Sequence, residues 1–289
     1  MARRRPPSVH GLAVVDKPAG VTSHDVVGML RRRLGERRVG HAGTLDPGAT
    51  GVLVVGVGSV TRLMRFVGDG HKRYTGEVVL GVETDTLDAD GTVVATHDMA
   101  AVTVDDARQA IAAHLIGAIE QVPPMVSAIH VDGRRLHELA REGIEVERAP
   151  RPVTVECFDV AATADPTVLA IDVTCSGGTY IRSLAADLGH LVGGGAHLRN
   201  LRRTAVGPFT IEEAAPPDVV ELLPPLAAVR GMAVVDVDEA TAALVANGRV
   251  LPAPDAGAGP WALVTGGDGL LAVYEPFRAG QAKPAVVLA

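Results

Sequence analysis

The stretch Gly40–Gly51, GHAGTLDPGATG, followed at once by the apolar run VLVVGVG over residues 52–58, governs how the rest of the chain reads. Four glycines, no apolar period and one Asp-Pro-Gly mark 40–51 as a loop. The valine-rich run after it has the composition of a buried strand. Upstream, GLAVVDKPAGVTSHDVVGMLRRRLG (residues 11–35) gives a short apolar strand, a turn at Lys17-Pro18-Ala19-Gly20 and a helix. Ser23 serves as N-cap in this reading and Gly35 as the stop beyond the C-terminus. Val26, Val27, Leu30 and Leu34 share one helix face, which turns Arg31, Arg32 and Arg33 toward solvent.

Downstream, VTRLMRFVG predicts a short helix, and strands at 73–83 and 91–96 flank the acidic turn ETDTLDADG. Thr103 caps a helix over DDARQAIAAHLIG, with Ala107, Ile111 and Leu115 at helical spacing. After a break at Pro123-Pro124, MVSAIHVDGRRLHELAREG predicts a strand, a tight Asp132-Gly133 turn and a short basic helix. Strands near 152–162 and 167–175, a helix from Thr179 and a strand from His197 to Val206 follow. Strands and helices in irregular order, without a βαβ repeat, predict an α+β fold with a mixed, largely antiparallel sheet. Four prolines in PPDVVELLPPLAAVRG mark a boundary, beyond which residues 231–289 predict a small β-rich domain.

The chain has 289 residues, 47% of them hydrophobic and 21% charged, enough for one large folded domain and a small one. Its net charge of −7 argues against a nucleic-acid partner only as an average. Residues 1–75 carry 13 Lys or Arg against 5 Asp or Glu, whereas 76–120 carry 1 against 9. The charge is polarised along the chain. Cys157 and Cys175 cannot build a disulfide framework or a thiolate metal site, which points to a reducing compartment. The basic N-terminus lacks an apolar h-region, and no window approaches the roughly 18 apolar residues of a membrane span. A cytoplasmic protein is expected.

Asp46 is the first chemical candidate. Asp-Pro-Gly alone is an ordinary β-turn. Here, however, Pro47 holds Asp46 extended and the glycines allow a ligand to come close, so the carboxylate could act as a nucleophile toward a sugar or base carbon. The acids at Glu83, Asp85, Asp88 and Asp90 read more simply as a solvated turn than as a divalent-ion site. Phosphate-binding, dinucleotide and zinc-deaminase signatures are missing. Tyrosine occurs only three times. Two of the three lie beside basic residues, in Lys72-Arg73-Tyr74 and in Gly178-Thr179-Tyr180-Ile181-Arg182, a pattern suited to stacking a base.

Gly40-His41-Ala42-Gly43-Thr44-Leu45-Asp46-Pro47 with Ala49-Thr50-Gly51 resembles the catalytic loop of the bacterial tRNA pseudouridine-55 synthases, the TruB family. Asp16-Lys17-Pro18-x-Gly20 with Thr22-Ser23, Lys72-Arg73-Tyr74, Gln121-Val122-Pro123-Pro124, Ser127-Ala128, Gly178-Thr179-Tyr180-Ile181-Arg182, Leu201-Arg202-Arg203-Thr204 and Val206-Gly207-Pro208-Phe209 match in order. The resemblance runs from about residue 11 to residue 210. It implies a pseudouridine-synthase fold over 11–230, with an RNA-gripping insertion at 121–150, a PUA-like domain at 231–289 and a flexible basic N-terminus at 1–10. The implied activity is isomerisation of one T-loop uridine of tRNA, without cofactor or metal, by a monomer needing no protein partner.

Family roles carried over by position make Asp46 the nucleophile. Tyr74 stacks on the flipped uracil and moves a proton, and Arg182 keeps the Asp46 carboxylate ionised and aimed. His41 braces the vacated T-loop space, Tyr180 and Leu201 line the uracil and ribose pocket, and Lys17 supports the loop. The sequence departs from the family at Val126, His130 and His137, where the insertion often carries an aromatic, a lysine and a tyrosine. A non-catalytic RNA-binding or tRNA-folding protein on the same scaffold is the rival reading, and a carboxylate turned toward RNA argues against it.

Overall fold

Every residue from Gly51 to Val57 is buried, because this strand is covered on both faces. The computed structural model describes residues 7–68, 70–127, 130–131, 133–136, 139, 142–144 and 146–288. In chain order the first elements are β1 (Gly11–Lys17), α1 (Ser23–Leu34), β2 (Val39–His41), β3 (Thr50–Val57) and, after a 3-10 segment at Gly58–Leu63, α2 (Met64–Gly68). Next come β4 (Lys72–Leu80), β5 (Val82–Thr84), β6 (Val93–Thr96), α3 (Val104–His114), β7 (Gly117–Gln121), β8 (His130–Val131) and β9 (Arg134–Arg135). They are followed by β10 (Arg151–Ala162), β11 (Val168–Cys175), α4 (Ile181–Leu191), β12 (Ala196–Val206) and β13 (Phe209–Thr210). The last stretch holds β14 (Ala233–Asp236), α5 (Glu239–Ala246), β15 (Leu251–Pro252), β16 (Trp261–Thr265), β17 (Gly269–Pro276) and β18 (Gln281–Val287). The architecture is α+β. The chain divides into two compact units, one of residues up to 46, 52–69 and 206–289, the other of 47–51 and 70–205.

In the first unit the period of two along β1 and β3 sends alternate side chains to opposite faces. Ala13, Val15, Leu53, Val55 and Val57 pack with Val26, Val27 and Leu30 of α1. Leu12, Val14, Val52 and Val54 pack instead with Phe209, Val229, Ala262 and Val273. Each such leucine or valine contributes on the order of 1.5–3 kcal/mol through burial. The C-terminal residues form a five-stranded sheet, ordered β14-β16-β17-β18-β15, with its own cluster around Trp261 and Tyr274.

Helix α1 begins one residue earlier than its sequence suggests. Thr22 is the N-cap, and with Asp25 it forms a capping box in which each side chain bonds the other's backbone N–H. Ser23 is therefore the first helical residue, and its hydroxyl is released for another use. Gly35 ends the helix at φ 62°, in the left-handed region that suits glycine. The loop expected over 40–51 is shorter at both ends, because Val39, Gly40 and His41 pair antiparallel with Val57, Gly56 and Val55.

In the second unit the strands run in the order β12-β4-β11-β10-β7, and the pairs β4/β11, β10/β11 and β7/β10 are antiparallel. Thr50 and Gly51 add a parallel pairing with Arg202 and Arg203, which makes the sheet mixed. Helix α3 is capped by Thr103 as its sequence predicts, with Asp106 completing the box. Helix α4 starts at Ile181, not Thr179, because Tyr180 is extended and occupies the cap. Of the strand expected after Met125, the described residues show His130 and Val131 of β8 paired with β9. Asp132 and His137, the centre of the basic helix expected there and residues 1–6 of the expected basic tail lie outside the described residues.

Candidate active site

The first unit presents the loop with Asp46 through a chain of local devices. The buried ammonium of Lys17 donates to the carbonyls of Pro18 at 2.9 Å and Val21 at 2.7 Å, closing the turn before α1. The Thr22–Asp25 capping box then sets where the helix starts. Ser23 follows, 1% exposed. Its Oγ accepts from the Leu45 N–H at 2.8 Å and donates to the Leu45 carbonyl at 3.0 Å. One hydroxyl thus satisfies both backbone groups of the residue before Asp46. At the other end of this segment the Ala42 N–H donates to the Val54 carbonyl at 2.9 Å, and Gly43 turns the chain at φ 96°. His41, at the end of β2, and Asp46 are both half-buried.

In the second unit the continuation of the loop has close neighbours. Gly51 has φ 102°, and a Cβ there would lie 2.1 Å from the Arg203 carbonyl oxygen, so only glycine fits. A Cβ on Gly48 would come within 2.7 Å of an Asp90 carboxylate oxygen. On β4, Lys72 and Tyr74 are buried while Arg73 points the other way. Arg73 pairs with Asp172 through Nε at 2.9 Å and Nη2 at 2.7 Å. Tyr74 lies opposite Val173, and Leu201 is half-buried on β12.

Arg182, in the first turn of α4, is 3% exposed. Its Nη1 donates to the Thr86 carbonyl at 2.7 Å and its Nη2 to the Val126 carbonyl at 2.8 Å, and Nε lies 3.5 Å from the Asp88 carboxylate. The 83–91 turn is therefore not a merely solvated acidic loop. Its own bonds build it: Thr84 Oγ1 donates to the Asp88 carbonyl at 2.7 Å and Thr86 Oγ1 to the Asp88 carboxylate at 2.6 Å. The Ala89 N–H then anchors the turn to the Leu198 carbonyl at 3.0 Å. Val126, one of the departures from the family pattern, contributes its carbonyl here. Nothing about its side chain is required.

Tyr180 is held as Leu45 is. The Gln121 amide accepts from the Tyr180 N–H at 2.7 Å and donates to the Tyr180 carbonyl at 3.0 Å. This fixes the residue that caps α4, two positions before Arg182. Among the described residues no group of three His, Cys, Asp or Glu is placed to hold a metal ion. Burial pushes the Cys175 thiol up to about 11, so it stays protonated at neutral pH and is a poor nucleophile. No helix of the described residues is long and apolar enough to cross a membrane.

Lys17, His41 and Asp46 thus belong to the first unit, and Tyr74, Tyr180, Arg182 and Leu201 to the second. Sequence reasoning missed the parts played by Ser23, Thr86, Asp88 and Gln121. Only Ser23 and Gln121 carried a signal, each lying inside a matched motif.

The fold is that seen in solved structures of Cbf5 and H/ACA complexes. A solved Cbf5-Nop10-Gar1 complex superposes with TM-score 0.73 at 24% identity, covering 96% of this chain and 85% of the other. An H/ACA ribonucleoprotein bound to a substrate RNA containing 2′-deoxyuridine superposes with TM-score 0.71 at 23% identity, over the same shares. Residues 31–181 match the N-terminal domain of the TruB family pseudouridylate synthases, and residues 182–222 match the C-terminal domain of tRNA pseudouridylate synthase B. Proteins named tRNA pseudouridine synthase B are similar over most of the chain. That of Arthrobacter sp. (strain FB24) is 54% identical over 209 residues, 71% of this chain and 68% of the relative. That of Corynebacterium aurimucosum is 50% identical over 252 residues, covering 83% and 84%, and that of Aromatoleum aromaticum 46% over 261, covering 87% and 84%. The chain belongs to the TruB family of pseudouridylate synthases.

Proposed function

We propose that this protein converts the uridine at position 55, in the T-loop of tRNA, to pseudouridine, with Asp46 as nucleophile. The observation that carries the reading is the presentation of Asp46. Both backbone groups of the preceding residue are gripped by one buried hydroxyl, and the ring of Pro47 restricts Asp46 from the other side. Binding RNA needs no carboxylate on so constrained a backbone, whereas in-line attack on a carbon does. The names of the bacterial relatives support the substrate.

In the proposed route the target nucleotide leaves its stack, at a cost of a few kcal/mol offset by contacts along the RNA. The Asp46 carboxylate attacks ribose C1′ and the C1′–N1 bond breaks, leaving uracil as the anion. The base turns in the pocket, C5 attacks C1′, and the bond to Asp46 breaks. Loss of the C5 proton and protonation of N1 complete an isomerisation whose atoms balance within the nucleoside, so no oxidant or reductant enters. Tyr74 stacks on the uracil and takes a proton, assistance typically worth about 10²- to 10⁴-fold. Arg182 serves as the cation that aims the Asp46 carboxylate in the RNA complex. His41 fills the space left in the T-loop, Tyr180 and Leu201 line the pocket, and Lys17 supports the loop.

The basic first quarter supplies phosphate contacts, residues 121–150 grip the RNA, and residues 231–289 act as the PUA-like domain. The protein works in the cytoplasm as a monomer without a protein partner. The test is release of tritium from an unmodified tRNA transcript labelled at uridine C5. Wild type releases label with no added factor, while Asp46→Asn releases none and still binds tRNA. Equal release by the variant would remove Asp46 from the reaction. Retained binding with no release by wild type would favour a role in RNA folding alone.

A further inference from the structure

We infer that Ser23 is a positioning residue for the reaction, setting the attack geometry of Asp46 through Leu45. The inference rests on Asp46 being the nucleophile. Ser23 lies 22 residues from Leu45 in sequence, is 1% exposed, and spends its single hydroxyl on both the N–H and the carbonyl of Leu45. A serine at the start of a helix ordinarily caps it. Here Thr22 has taken that task with Asp25, so α1 does not need the Ser23 hydroxyl for its own stability. What the hydroxyl does instead is tie the peptide entering Asp46 to the rigid first turn of α1. The Leu45 side chain is itself 4% exposed, so the backbone is seated as well as bonded. Rotation of the 45–46 peptide would break the hydrogen bond to the Leu45 carbonyl and swing the carboxylate. A misplacement of about 1 Å at a reacting atom can cost on the order of 10²-fold in rate.

The design compares Ser23→Ala with Ser59→Ala. Ser59 is another buried serine of the same unit, whose Oγ is hydrogen-bonded to His10 at 2.8 Å, and it takes no part in the proposed chemistry. Three readouts are made on the full chain well below its melting temperature: single-turnover tritium release from C5-labelled tRNA, tRNA affinity, and hydrogen exchange of the peptide spanning residues 42–46. For Ser23→Ala the expected result is a turnover rate lower by about 10- to 100-fold, with tRNA affinity unchanged and faster exchange at Leu45. Ser59→Ala should match wild type in turnover and in exchange of that peptide. Ser23→Thr, which keeps the oxygen, should recover most of the rate. Wild-type turnover in Ser23→Ala, or an equal loss in Ser59→Ala, would overturn the inference while leaving the proposed function intact. If faster exchange left turnover unchanged, that too would overturn it. A wild-type protein that releases no tritium would overturn the functional reading itself, and the positioning role with it.

Discussion

Leu45 and Tyr180 are each held at both backbone groups by one buried side chain, yet the two grips differ in kind. Ser23 reaches Leu45 with a single oxygen that must donate and accept, so its loss costs both bonds together. Gln121 reaches Tyr180 with two separate atoms, a carbonyl that accepts and an amide that donates. The first grip is short and anchored in a helix start, whereas the second hangs from the end of β7 on a longer, rotatable side chain. A one-atom grip is all or nothing, while a two-atom grip can be dismantled in halves. The first grip falls on the residue before Asp46, and the second on the residue two positions before Arg182.

The largest effect should come from the residue that the second grip precedes. Arg182→Ala leaves the Thr86 and Val126 carbonyls and the Asp88 carboxylate without their buried cation, so a stability loss of about 3 kcal/mol is expected. Turnover should fall by about a hundredfold or more with only modest loss of tRNA binding. Calorimetry and the tritium assay check both parts, and a variant that binds poorly yet turns over normally would make Arg182 a phosphate contact. Close behind, Gly51→Ala should cost upward of about 2 kcal/mol, since its Cβ would run into the Arg203 backbone at a positive φ. A melting temperature equal to wild type would show that the strand shifts freely there.

The two halves of the second grip are separable by substitution. Gln121→Leu should lose about 2 kcal/mol by stranding both backbone groups of Tyr180, whereas Gln121→Glu, at a pH where its buried carboxyl is protonated, keeps the acceptor and should lose clearly less. Equal losses in denaturant melts would abolish the contrast with Ser23. The smallest effect concerns the frame of the first grip. Hydrogen bonds from the Thr22 hydroxyl and N–H hold the Asp25 carboxyl below its ordinary 3.8. A depressed carboxyl adds stability above that value and loses it as pH falls through the folded pKa. Acid below about pH 4 should therefore loosen the start of α1 in wild type. Asp25→Asn, which cannot titrate, should lack that step in a pH series of melting temperatures.

Local rules reached far in this sequence. The apolar runs of β1 and β3, the Gly35 stop and the Thr103 cap all depend on neighbours within a few residues, and they were legible. At Thr22-Ser23 two hydroxyls competed for one cap, and the deciding signal was Asp25, at the spacing a capping box needs from Thr22. The acidic turn misled for a different reason. Thr86 and Asp88 find Arg182 across more than ninety residues of chain, and no local pattern announces such a partner. Gln121 belonged to a matched motif, but its work is done on Tyr180, 59 residues away. Of the site, the motif-bearing residues could be named from the sequence, whereas the groups that hold them depend on distant pairings that only folding supplies.

The border between the two compact units falls between Asp46 and Pro47, and returns within β3 between Gly51 and Val52. A strand that begins in one unit and ends in the other cannot be cut without breaking the pairings it makes in each. Nor can the units be traded as cassettes between proteins, because the chain passes from one unit to the other more than once. For an engineer, this means that circular permutation or splitting must be attempted at the surface turns elsewhere.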